Sequence, residues 1–134
     1  VPLMFDDSYQ RFLQASENAE PEVALTSFVD RYLSTRHRDN PGRGCPVPTL
    51  SADLARMPEF ARKNFGDGVK RLTRSISVLL KKMELPHEDE LAASLLAEMV
   101  GALSMARTVH GEKESEAILK QSRFAIRRRL GLLD

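Results

Sequence analysis

The 134-residue sequence predicts an all-α domain, and three observations carry that expectation. Apolar residues recur at helical three- and four-residue steps through most of the chain. Proline-containing breaks separate these stretches. No segment alternates β-branched and polar residues as a half-buried strand does. The length suits one domain, and an apolar fraction of 42% supplies an ordinary globular core without cross-links.

Taken in order, the first helix is expected from about Asp6 to Ala15, with Phe5, Tyr9, Phe12 and Leu13 on one face. Pro21 suits a first helical position, where its missing N–H costs nothing. From there Val23, Leu25, Phe28, Val29, Tyr32 and Leu33 predict a helix to about Ser34. The stretch from Thr35 to Pro46 holds two glycines, two prolines and an Asn-Pro step, and reads as a loop on turn chemistry. A short helix from Thr49 to about Met57 follows, and Pro58 interrupts it.

The clearest helix spans Glu59 to Met83. Phe65, Val69, Leu72, Ile76, Leu79 and Met83 form one sustained stripe, with Lys63, Asp67, Lys70, Arg74 and Lys81 opposite. The next, Asp89 to His110, carries leucine, methionine and valine around much of its circumference, so it needs cover on most sides. Ala92, Ala93, Ala97, Gly101, Ala102 and Ala106 are interspersed. Gly101, costly in a helix interior, suggests close packing against a neighbour. The last helix, Lys113 to Leu130, presents Ile118, Leu119, Phe124 and Ile126 and ends in Arg127-Arg-Arg129, favourable at a helix C-terminus. The two closing helices expose more apolar surface than a monomer needs, and a two-fold contact between copies is its simplest outlet.

Composition excludes several function classes. Twenty basic against nineteen acidic residues leave a net charge of +1, and the pI of about 8.1 lacks the basic excess of a chain that itself grips duplex DNA. A single cysteine, Cys45, rules out an intramolecular disulfide and fits a cytoplasmic setting. The N-terminal residues lack the pattern of a signal peptide, and no apolar run approaches a membrane span.

Catalytic and metal chemistry find little support. Cys45 and His37 are the only nearby nucleophile and base, and no third group is evident to orient them. The simpler reading is a locally bonded histidine and a packed thiol. His37, His87, His110 and Cys45 lack metal-ligand spacing, and no glycine-rich phosphate loop occurs. The run His87-Glu-Asp-Glu90 most simply opens a helix, while Arg36, Arg38 and Arg43 read as solvated or locally paired with Asp39. No enzyme activity, cofactor or metal is therefore expected.

Several motifs together resemble one family. Tyr32-Leu-Ser34, His37-Arg-Asp39, Pro41, Gly44-Cys-Pro46, Leu50 and Asp53-Leu-Ala-Arg56 are similar to the segment that follows the DNA-binding head in a branch of the TetR/AcrR transcriptional regulators. Met99-Val-Gly-Ala-Leu103 with Ala106-Arg107 resembles that family's first dimerisation helix, and Ile118-Leu119 with the closing arginines its second. The resemblance runs from about Asp6 to the end. It implies a TetR C-terminal-domain-like helical bundle whose last two helices build a four-helix interface with a second copy.

Nothing in the sequence matches the family's three-helix head, whose helix-turn-helix reads DNA. The resemblance therefore makes residues 1–17 a connecting helix and assigns duplex DNA to a head that these residues do not include. It also implies a small, mostly apolar effector among the helices before the dimer pair. By position the pocket candidates are Phe12, Phe28, Tyr32, Leu54, Phe65, Val69, Leu72, Met99 and Leu103, with Tyr32 or Arg107 as polar anchor. The interface candidates are Leu95, Met99, Ala102, Ala106, Ile118, Phe124 and Ile126. A stand-alone helical dimerisation or adaptor protein without DNA binding is the alternative.

Overall fold

The computed structural model of the chain describes residues 19–39, 56 and 58–132. Among these residues every regular element is a helix, in agreement with the all-α expectation: α1 (Pro21–Tyr32), α2 (Thr35–Asp39), α3 (Glu59–Lys82), α4 (Glu88–Thr108) and α5 (Glu112–Arg129). The expected helices at Asp6–Ala15 and Thr49–Met57, and with them Phe12, Leu54 and Cys45, lie outside the described residues.

Local chemistry explains most of the boundaries. Pro21 occupies the first position of α1, as its missing donor allows. Where turn residues predicted loop, the chain instead makes the short helix α2. Ser34 caps it, its hydroxyl oxygen accepting from the His37 amide at 3.1 Å while its carbonyl accepts from Arg38. Residues 35–39 of the expected loop are therefore helical, and its remainder lies outside the described residues.

Helix α3 ends in a Schellman turn. The Leu85 amide donates to Leu80 and that of Glu84 to Lys81, with Glu84 at φ 60° in the left-handed position usually held by glycine. The end of α5 repeats the device with Gly131 at φ 72°, Leu132 donating back to Arg127 and Gly131 to Arg128. Glu88, Asp89 and Glu90 fill the first turn of α4, the helix-opening role expected of them, and Ser77 of α3 donates to the Asp89 carboxylate.

The most extensive helix contacts pair α3 with α4 and α4 with α5, while α1 lies against α3 and α5. One apolar core results, with Leu25, Val29 and Leu33 from α1 and its end, Leu72, Ile76 and Leu80 from α3, Leu95, Met99 and Leu103 from α4, and Leu119 and Ile126 from α5. The α3 stripe behaves as its spacing predicts from Leu72 to Leu79, whereas Phe65, Val69 and Met83 are half-buried at the core's rim.

Helix α4 departs from expectation. Its core face is covered, but Ala93, Ala97 and Met105 remain exposed, and a Cβ built on Gly101 meets nothing within 4 Å. Among the described residues, then, no neighbour packs closely at Gly101 and part of the circumference of α4 is uncovered. The helices that contact α4, chiefly α3 and α5 with α1 and α2 at fewer points, cover its core face and not these positions.

Candidate functional site

Seven pocket candidates, carried by α1, α3 and α4, belong to the one apolar core or pack against it. Phe28, Tyr32, Leu72, Met99 and Leu103 are buried in the common core, and Phe65 and Val69 pack half-exposed against it. The Phe28 and Tyr32 rings stand 5.8 Å apart at a tilt, and Tyr32 meets the His37 ring edge-on at 4.7 Å. Four-residue spacing puts both aromatics of α1 on its inward face. The cluster is aromatic and aliphatic; in the N-terminal half of α3 Phe65 and Val69 are half-buried against it, and Phe60 is largely exposed, at 71%.

Beside this cluster is a polar corner that sequence reasoning largely missed. Arg107 of α4 donates through Nε to the Arg38 carbonyl at 3.2 Å and through its terminal nitrogen to the His37 carbonyl at 3.1 Å. Its guanidinium thus closes the C-terminal end of α2, where unpaired carbonyls and the helix dipole favour a cation. These two bonds are to backbone carbonyls of α2.

Arg38 reaches the other way. It donates to the Ser115 hydroxyl and to the Glu112 carboxylate, both at 2.8 Å, and to Asp39. Its side chain is only 9% exposed, so of the two readings, solvated or locally paired with Asp39, Arg38 follows the second, and it also links α2 to α5. The hydrogen bonds that Arg38 donates to Asp39 and Glu112 raise its own pKa, and the bond that Asp39 accepts from Arg38 holds that carboxyl below its ordinary value. Ser115 in turn donates to the Ala106 carbonyl at 2.6 Å. These residues line a shallow cleft of about 270 Å³ with Val109 and Gly111.

Two further arginines of α5 grip α1. Arg123 donates to the Leu33 carbonyl at 2.7 Å, and Arg127 lies 3.7 Å from the Asp30 carboxylate. Their four-residue spacing on one flank was the available signal. The closing basic run is thereby divided: Arg127 turns to α1, Arg129 pairs with Glu98 of α4, and Arg128 points to solvent. His37 is locally bonded, its Nδ1–H donating to the Tyr32 carbonyl at 2.7 Å.

The interface candidates divide as sharply. Leu95, Met99, Ala102, Ala106 and Ile126 are buried within the chain, because α4 and α5 turn these faces toward the core and toward each other. Ile118 is half-buried and Phe124 is 40% exposed. On the outward side of α5, Ala117, Lys120, Gln121, Phe124, Ala125 and Arg128 line an open groove. Among the described residues no cluster of three or more His, Cys, Asp or Glu is arranged to hold a metal ion, and no helix is long and apolar enough to cross a membrane. No protein-family model and no curated protein matches the chain.

Proposed function

We propose that the chain is the ligand-responsive regulatory domain of a TetR-type transcriptional repressor. It takes a small, mostly apolar effector among α1, α3 and α4 and pairs with a second copy through α4 and α5. It thereby governs DNA binding by a helix-turn-helix head that precedes these residues in the parent protein. The observation that supports this reading best is that Phe28, Tyr32, Phe65, Val69, Leu72, Met99 and Leu103, from three helices, share one aromatic and aliphatic core, with Phe65 and Val69 half-buried at its edge. Such a lining suits an apolar or aromatic ligand, since polar anchors are few and area burial supplies the affinity.

The polar corner gives the switch a route. Arg107 and Arg38 fasten α2 to α4 and α5, and Arg123 fastens the end of α1 to α5. A ligand that parts α1 from α3 therefore loads the same hydrogen bonds that orient α1 on the dimer helices. It acts only by binding one arrangement more tightly than the other.

A thermal-shift screen of the chain against apolar and aromatic compounds tests this. A binder present at a hundredfold over its Kd stabilises the fold by about 2.7 kcal/mol, which is readily seen as a rise in melting temperature. A parent protein that keeps full operator affinity with this site saturated would contradict the mechanism.

A further inference from the structure

Helix α3 concentrates positive charge: it holds seven basic residues against two acidic, although the whole chain carries a net charge of only +1. Much of that charge forms a row opposite the buried face. At about 100° per residue, Lys63, Lys70, Arg74 and Lys81 fall within about 40° of one another on the side away from Leu72, along about 27 Å of helix. All four are exposed, and among the described residues none of them enters an ion pair. Phe60 and Val78, both more than half exposed, stand on one flank of the row, one turn before Lys63 and one turn after Arg74. Asp67 is the one carboxylate within the row. Glu59 lies at its start, and Asp89 of α4, which accepts from Ser77, borders its far end.

We infer that this face of α3 seats on a bilayer surface rich in anionic phospholipid, with the row against the phosphate headgroups and Phe60 and Val78 at the boundary beneath them. A plane of headgroups meets all four cations together, because they share one line of the helix. Long basic side chains also reach such a plane while their stems cover apolar surface. An exposed phenyl and an exposed valine among lysines gain by leaving water at the headgroup boundary, whereas a sugar–phosphate backbone offers them no apolar counterpart. The near-neutral total charge likewise fits a local contact better than the basic excess of a nucleic-acid binder. Seating on the surface requires no membrane-crossing helix. It requires neither the effector nor the second copy of the proposed function.

The test is co-sedimentation of the whole 134-residue chain with vesicles of equimolar phosphatidylglycerol and phosphatidylcholine, against vesicles of phosphatidylcholine alone. At low salt the native chain sediments with the anionic vesicles and stays in solution with the neutral ones. In about 1 M salt, where charges are screened beyond about 3 Å, the binding is lost. Lys70→Gln and Arg74→Gln each weaken it about fivefold, the factor that one basic residue contributes at an anionic surface. Lys113→Gln, an equal loss of charge from the exposed side of α5, changes it by less than about twofold. Phe60→Ser weakens it about fivefold through lost apolar contact. Every substituted position is exposed, and each variant keeps the native melting temperature.

A native chain that ignores anionic vesicles at low salt overturns the inference. Binding that the row substitutions leave intact, or that Lys113→Gln weakens equally, overturns it as well. Tighter binding to duplex DNA than to vesicles at equal phosphate concentration, indifferent to Phe60→Ser, gives the row to nucleic acid and overturns the bilayer seat.

Discussion

Arginines do much of the joining in this fold, and each acts through a particular geometry. Arg107 spans two adjacent carbonyls with a planar fork that a lysine ammonium cannot reproduce. Arg107→Ala should therefore cost about 1–3 kcal/mol in chemical denaturation, and Arg107→Lys should restore only part of it. Asp39 and Glu98 show the same pairing from the acidic side. Hydrogen bonds from Arg38 and Arg129 hold both carboxyls below their ordinary pKa. A depressed native pKa means that the unfolded chain takes up protons first as pH falls. The contribution is complete above the ordinary carboxylate range near about pH 4 and is lost as pH drops through the lower native values. Melting temperature should thus decline below about pH 4, and the decline should be shallower in a double Asp39→Asn, Glu98→Gln variant.

At the scale of elements, helix ends reveal which signals a sequence carries openly. Gly131 announces the end of α5, and Pro21 the start of α1. Glu84 hides the end of α3, because a left-handed cap position holds a residue that disfavours it, and only the following Leu-Pro hints at the stop. Glu84→Gly should relieve that strain and stabilise the domain by about 0.5–1 kcal/mol, measured as a shift in denaturation midpoint at unchanged slope. Helix α2 was illegible for a related reason. The turn chemistry that set the reading of the whole segment belongs to residues 40–46, and α2 just before them persists through the Ser34 cap and the arginine on its final carbonyls, a contact from a residue about seventy positions away. Periodicity made α3 plain, since one period fixes both its conformation and its buried face. It could not divide α4 and α5 into core and surface, because which side of an apolar helix is covered depends on where its neighbours pack. That is why Met99 and Leu95 lie inside the chain while Met105 and Phe124 remain outside.

For the whole molecule, arginines tie the first two helices to the last two. Hydrogen bonds from Arg38, Arg107 and Arg123 join α2 to α5, α4 to α2 and α5 to the end of α1, so a shift of α1 against the core is resisted by contacts on α4 and α5. The pocket candidates were readable as apolar positions on helical faces; that they share one core was not, since it depends on how α1 packs against α3 and α4. Effector binding among these helices is tested most directly by the ligand-induced change in melting temperature of the native chain against a Val69→Trp variant. The substitution fills the half-open rim beside Phe65 with a larger ring while leaving the fully buried core residues in place. Binding among α1, α3 and α4 predicts a rise with at least one apolar or aromatic compound in the native chain and its loss in Val69→Trp. No rise with any such compound, or an equal rise in both proteins, would contradict it.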